Sequence, residues 1–390
     1  MTAIAVTFRE RAGLPGRLVS LSLAALAVLL LWLGLDVVRD PSGPGRLFAA
    51  VYDLTGQHAA ADAIRERGLD DLQAKLTVAV VALVVGIGGV WALYVGLNGA
   101  LDLLRPRHAD RLRPYVFVGP AILMVTIFLV VPAILTLWSS LFENGGFAKN
   151  YGALLDDPAI GLAIRNNALW LVVGTAGSVG IGLLVAALVD RIKREALAKT
   201  FVFLPLAISM AGAAVIWRFV YAWQPEGEAQ IGVLNAVWTG LGNEPQPWLQ
   251  QAPLNTFLLI VIMIWLQTGF AMVVLSAALK SVPNEVIEAA RLDGSGEANL
   301  FFRIVLPMIR GTVLAVTTTI AIAILKVFDI VYVTTGGSFD TEVLASRMFT
   351  EMFSVRNFGR ASAIAVVLFV AIFPIIVANL RNLRRQGIDA

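Results

Sequence analysis

Residues 280–310 read KSVPNEVIEAARLDGSGEANLFFRIVLPMIR and stand between two long apolar runs, Leu254–Leu279 and Thr312–Val333. A connection that only reversed the chain would need about five residues. This one carries the punctuation of a helix, a turn and a second helix. Pro283 suits a first helical turn, where its missing N–H costs nothing, and Glu285 complements the positive end of the helix dipole. Glu288 and Arg291 are three apart, which predicts a pairing across one turn. Gly294 supplies the positive φ that ends a helix, Glu297 opens the next, and Pro307 redirects the chain into the following apolar run. Ala289 and Ala290 keep one face low enough for another protein to approach the backbone.

The flanking runs belong to a set of eight: Leu18–Leu35, Leu76–Leu97, Tyr115–Leu141, Ala168–Val189, Phe201–Trp223, Leu254–Leu279, Thr312–Val333 and Ala361–Leu380. Each is near the ~20 residues that cross hydrocarbon as a helix. None shows the alternating ten-residue pattern of a transmembrane barrel. With 58% of the 390 residues hydrophobic and 15% charged, a soluble core and shell is excluded. The expected fold class is an all-α polytopic membrane protein with eight transmembrane helices.

An even number of spans puts both termini on one side, and lysine and arginine resist translocation. Eighteen of the thirty basic residues fall on the side of the termini and of residues 280–310, ten fall on the other, and Arg218 and Lys326 lie within spans. The N- and C-termini are therefore expected in the cytoplasm. The first span is followed by Leu35, Asp36, Val37 and Val38 instead of small residues, and it reads as an uncleaved anchor. The outer loop 39–75 reads as a surface helix without chemistry. The basic, proline-containing stretch Arg105–Pro114 divides an N-terminal part, 1–110, with two additional spans, from a working core of six, 111–390.

Several chemistries have no foothold. There is no cysteine, and the only histidines are His58 and His108, so no metal site is expected. The chain has no G-x-x-x-x-G-K-[ST], which leaves ATP hydrolysis by this chain unsupported, and it reads as a non-enzyme that binds no cofactor. Serine-hydrolase and zincin motifs are absent as well. Close glycines, such as Gly86, Gly88 and Gly89 or Gly180 and Gly182, sit in spans and read as helix-packing positions. The net charge of +3 implies no nucleic-acid partner.

The loop also carries a resemblance. Glu288, Ala289 and Ala290, then Gly294, then Ile304, Leu306 and Pro307 reproduce the E-A-A, G, I-x-L-P loop of membrane subunits from bacterial binding-protein-dependent ABC importers. Such a match arises by chance on the order of once in 10^5. The chain resembles the carbohydrate-uptake branch, the larger of the two permeases in maltose and α-glucoside importers. The resembling stretches are Pro114–Phe142, Asn166–Tyr221, Trp265–Pro307, Phe328–Asp340 and Phe358–Ala365. The runs Trp265–Met272 and Lys326–Tyr332 look particularly like α-glucoside permeases.

The resemblance implies a type I ABC importer permease fold in the cell inner membrane. Two homologous permeases would sit on two cytoplasmic ATPases, which hold the ATP and Mg, and an extracytoplasmic sugar-binding protein would feed them. Residues 281–310 would be the coupling loop. Glu288, Ala289, Ala290 and Gly294 would form the helix and turn that dock into the ATPase, and Ile304, Leu306 and Pro307 would connect it to span seven. Two departures stand out. Only about 26 residues, 142–167, occupy the place of the large insertion of maltose permeases, and Ile320, Ile324 and Val327 stand where those proteins have polar sugar contacts.

Trp265, Gln267 and Phe270 combine aromatic faces with an amide donor and acceptor, a chemistry that holds sugar rings. Phe270 stands where maltose-type permeases have an aromatic sugar contact; packing alone is the other reading of all three. Lys326 and Asp329, three apart within span seven, either pair with each other or line the pathway. Arg218 reads as a snorkelling interface anchor. The acidic loop Gln224–Pro253 is expected either to meet the binding protein or to form an interfacial lid. Beyond Gly336 and Gly337, Thr341 is expected to cap an amphipathic outer helix bearing Leu344, Met348, Phe349, Met352 and Phe353, which Gly359 ends. The function expected is the import of α-glucosides such as maltose, trehalose or sucrose-like disaccharides. Its rivals are an ion-driven secondary transporter with Lys326 and Asp329 as relay, and a non-transporting scaffold.

Overall fold

The computed structural model describes residues 106–190 and 192–388, with isolated positions between Ser22 and Leu101. The first two expected spans and the loop 39–75 lie outside the described residues, apart from isolated helical positions such as Leu76 and Trp91. Among the described residues all regular structure is helical. Four helices are long and apolar enough to cross a membrane: Phe117–Asp156, Pro158–Val189, Leu254–Lys280 and Phe358–Val377. Two bent helix pairs, Glu195–Ala207 with Met210–Val220 and Glu297–Met308 with Arg310–Leu325, bring the number among the described residues to as many as six if each pair is one span.

The chain forms two compact units, Met1–Pro132 and Ala133–Ala390. In the first, α1 (Pro106–Val125) runs into a π-helical turn at Thr126–Val130, and Phe117, Phe128 and Leu129 present an exposed apolar surface suited to hydrocarbon. The boundary falls in the first turn of α2 (Val131–Phe142), which is followed by α3 (Gly146–Asp156). Then α4 (Pro158–Leu169) and α5 (Thr175–Val189) are joined through a π-helical turn at Trp170–Gly174. After α6 (Glu195–Phe203), α7 (Met210–Val220) and α8 (Val233–Gly240) comes the central helix, α9 (Leu254–Lys280).

The core forms around α9 because its residues are apolar on almost every side. Leu259, Ile260, Ile262, Met263, Met272 and Leu275 are fully buried, together with Trp170 and Ile320, Ile324 and Ile330 of the next spans. Glycines set how closely neighbours approach. A Cβ on Gly269 would lie 2.6 Å from the Val202 carbonyl oxygen of α6, and Gly182 of α5 rests against Ala271. Gly182 is thus a packing glycine as expected, whereas Gly180 faces open space.

Span five is not the single helix expected over 201–223. A 3-10 turn at Leu204–Ala207 contains Pro205, which lacks an N–H and disfavours helix before it. Ile208 and Ser209 are extended, Ser209 Oγ accepts from the Gly212 N–H at 3.0 Å to restart the helix, and the two halves meet at 100°. Span seven is also broken. After α10 (Asn284–Leu292) and α11 (Glu297–Leu300), α12 (Arg310–Leu325) ends at Lys326, and α13 (Asp329–Thr334) begins only after Phe328 leaves helical geometry at φ −137°.

The last hairpin also departs from expectation. α14 (Leu344–Phe349) continues as a π-helical turn to Ser354 before α15 (Phe358–Ile388). Ser346 Oγ, not Thr341, accepts from the first free N–H, that of Val343, at 3.0 Å; Thr341 donates to the Ser338 carbonyl. The element ends at Ser354, ahead of Arg356 at φ +60°, and Gly359 lies in α15, where a Cβ would crowd Asn150 and the Glu143 carbonyl.

Candidate coupling loop and substrate pathway

The 281–310 loop folds as helix, turn and helix. Pro283 is the residue immediately before α10, and Glu285 stands in its first turn. At the other end, Gly294 takes φ +82°, its N–H donates to the Arg291 carbonyl, and the Ser295 N–H donates to the Ala290 carbonyl, both at 3.0 Å. This pair of bonds closes a Schellman cap. Arg291 does not pair with Glu288. Its Nε and Nη2 both donate to Glu297 Oε1, at 3.1 and 3.0 Å, and tie the first helix to the second. The loop is also anchored by packing. Ala290, Leu300, Val305 and Ile309 form a buried apolar cluster with Ala278 and Val282 at the end of α9.

What remains outside is specific. Glu288 and Ala289 are exposed, and Leu292 is 89% exposed although apolar. Ala289, Ala290 and Ile304, with Glu285, Val286, Asp293 and Ser295, line a concavity of about 460 Å³. Gly294 holds the turn, while Leu306 and Pro307 lie past a π-helical turn in the short helical turn Leu306–Met308. From there the chain swings by 73° into α12. Ala290 therefore serves chiefly the loop's own packing, and Ala289 is the exposed alanine of the pair.

The expected pathway residues are not gathered into one site. Trp265 is half-buried and meets Trp217 edge-on at 5.7 Å between ring centroids. Gln267, two positions on and therefore about 200° around the helix, is buried with Nε2 3.9 Å from Met263 Sδ. Phe270 packs on the core. Lys326 is exposed and Asp329 half-buried on either side of the break in span seven, and no ion pair joins them among the described residues. Ile320, Ile324 and Val327 are core residues at 1% exposure or less.

Sequence reasoning missed two features away from the 281–310 loop. One is a charge cluster: buried Glu351 accepts from Arg347 at 3.1 Å and Arg360 at 3.3 Å, and Arg347 also meets Asp157 at 2.8 Å and Glu342 at 3.9 Å. Burial pushes the Glu342 carboxyl up from the ordinary value, Arg347 opposes this, and Asp157 and Glu351 add to it. The other is a cavity of about 690 Å³ lined by Arg218, Trp223, Gln250, Thr334 and Phe339, among others. Both are assembled from segments far apart in the chain, so local spacing gave no signal of them.

Several membrane-length apolar helices, with α5, α6, α7 and α12 packed on α9 and a braced helical loop at one end of it, define a polytopic membrane protein. The chain belongs to the family of binding-protein-dependent transport system inner membrane components, whose sequence profile matches residues 178–386. It is 51% identical over 274 residues to the osmoprotective compounds uptake permease protein GgtC of Synechocystis sp., covering 69% of this chain and 98% of that one. To the alpha-glucoside transport system permease protein AglF of Rhizobium meliloti it is 44% identical over 331 residues, 80% of this chain and 98% of the relative. The fold is also that of a chain in the crystal structure of a bacterial ABC transporter that imports the polysaccharide alginate. There the TM-score is 0.63 at 21% identity, over 72% of this chain and 99% of that one.

Proposed function

We propose that this chain is the membrane-spanning subunit of an ATP-driven importer of α-glucosides. It forms half of the translocation pathway and performs no covalent chemistry itself. Residues 111–390 are the importer core and residues 1–110 an addition to it. A second homologous permease completes the pathway, two ATPases dock below it, and an extracytoplasmic binding protein delivers the sugar. The termini and the 281–310 loop face the cytoplasm. Family membership supports the importer role, and the name of AglF supports α-glucosides as the substrate class. An ion-driven carrier built on Lys326 and Asp329 has less support, because the family is defined by dependence on a binding protein.

The observation that carries the mechanism is the bracing of α10. Its cap at Gly294, the Arg291–Glu297 link and the apolar seat under Ala290 make it a rigid lever fixed to the ends of α9 and α12. ATP-driven closure of the partner ATPases pushes the exposed Glu288 face, and the lever transmits that movement to the two spans it joins. Glu288→Lys tests this in the reconstituted complex. Hydrolysis is expected to continue while uptake falls at least tenfold; normal uptake would overturn the assignment.

A further inference from the structure

The cavity at the far end of α9 has features that packing does not explain. Its volume, about 690 Å³, falls within the ~300–1,000 Å³ of small-molecule clefts. Its walls come from the end of α7, the 221–253 segment and the 334–339 turn, which Asn255 Nδ2 clamps to the start of α9 by donating to the Phe339 carbonyl at 2.7 Å. Among the residues that line it there is one cation, Arg218, and no acid. The Arg218 and Gln250 side chains are exposed and make no hydrogen bond or ion pair among the described residues. Thr334 Oγ1 donates to the Ile330 carbonyl, which leaves its lone pairs to accept. Phe219, Trp223 and Phe339 add partly exposed aromatic rings.

Unspent donors, a hydroxyl acceptor and open aromatic faces in one concavity match a pyranose ring, which offers an apolar face for stacking and a rim of hydroxyls. Tyr221, part of the cavity wall, lies 5.2 Å from Trp217, which meets Trp265 at 5.7 Å, so aromatic rings run from the mouth towards the middle of α9. We infer that this is an outer vestibule site for a glycoside: Trp223 stacks on the ring, and Arg218 and Gln250 donate to its hydroxyls, before the sugar passes inward along Tyr221 and Trp217. The inference rests on the importer reading above, and it makes a snorkelling role insufficient for Arg218.

The chain contains no cysteine, so Ile231→Cys, on the exposed rim of the cavity, gives it one thiol for a bimane label. The purified complex carrying that label is titrated with maltose, trehalose and glucosylglycerol, with uptake of the same three compounds measured in liposomes. A saturable emission change is expected with a transported compound, and Trp223→Ala and Arg218→Gln should each raise its half-saturation concentration at least fivefold. Uptake with a silent label, or a response that neither substitution weakens, would overturn the vestibule and leave the importer reading standing. Absence of uptake of all three by the unsubstituted complex, with a silent label, would instead overturn the glycoside reading, and the vestibule with it.

Discussion

Arg291 places two donors, Nε and Nη2, on one carboxylate oxygen of Glu297, six residues away across the Gly294 turn. Both side chains are about half exposed, so water screens the pair and its thermodynamic worth is small, about 0–1 kcal/mol. Its effect is geometric, because it fixes the angle between α10 and α11. Arg291→Glu should therefore barely move the melting temperature of the complex yet lower the uptake per ATP hydrolysed several-fold. The charge exchange Arg291→Glu with Glu297→Arg should recover most of that ratio. A double variant as poor as the single one would show that the pairing is not what matters.

Gly294 holds φ +82° with no atom within 4 Å of where a Cβ would stand. The cost of Gly294→Ala is then conformational alone, about 1 kcal/mol, and Gly294→Asn should cost less because asparagine tolerates the left-handed region. Local opening of the turn should rise roughly fivefold in the alanine variant, read as faster limited proteolysis between α10 and α11.

The charge cluster predicts opposite outcomes for two neighbouring acids. Glu351 is buried between two arginines, and Glu351→Ala takes from Arg360 its acidic partner while Arg347 keeps Asp157 and Glu342, at an expected cost of about 1–3 kcal/mol. Glu342 behaves differently, because burial raises its pKa in the folded chain. The folded state holds that proton more tightly than the unfolded state, so its contribution is fully present below the unfolded value and is lost as pH rises through the folded one. Glu342→Gln should thus leave stability at neutral pH equal or slightly higher, and flatten its decline above the ordinary carboxylate range. Thermal melts of both variants between pH 4 and pH 8 check this.

Much of the fold was legible in local sequence, because solid apolar runs and cap residues are local signals. The runs at 254–279 and 361–380 correspond to α9 and α15, and the order of Pro283, Gly294 and Glu297 anticipated α10, its turn and α11. The breaks in spans five and seven were not legible. Apolar runs report burial in lipid but not helix continuity, and Lys326 and Asp329 were read on one helix that in fact stops between them. Partner choice was the other blind spot: three-residue spacing favoured Glu288 for Arg291, but the folded turn delivered Glu297. The vestibule and the Glu351 cluster join segments more than eighty residues apart, for which one sequence holds no pairing information.

Two glycines in neighbouring spans make a matched test of helix approach. Gly269 faces the backbone of α6, where an added methyl would stand 2.6 Å from the Val202 carbonyl oxygen and 2.8 Å from Phe203 Cα. Backbone cannot step aside as a side chain can, so Gly269→Ala should force α6 from α9 at a cost of about 1–3 kcal/mol. Gly180, inside α5, has nothing within 4 Å of its virtual Cβ, and there alanine should gain about 0.5–1 kcal/mol through helix propensity. Melting of the purified chain in detergent gives the two signs. In the assembled importer the Gly180→Ala gain is expected to persist if lipid covers that face of α5; a loss confined to the complex would locate the second permease against it.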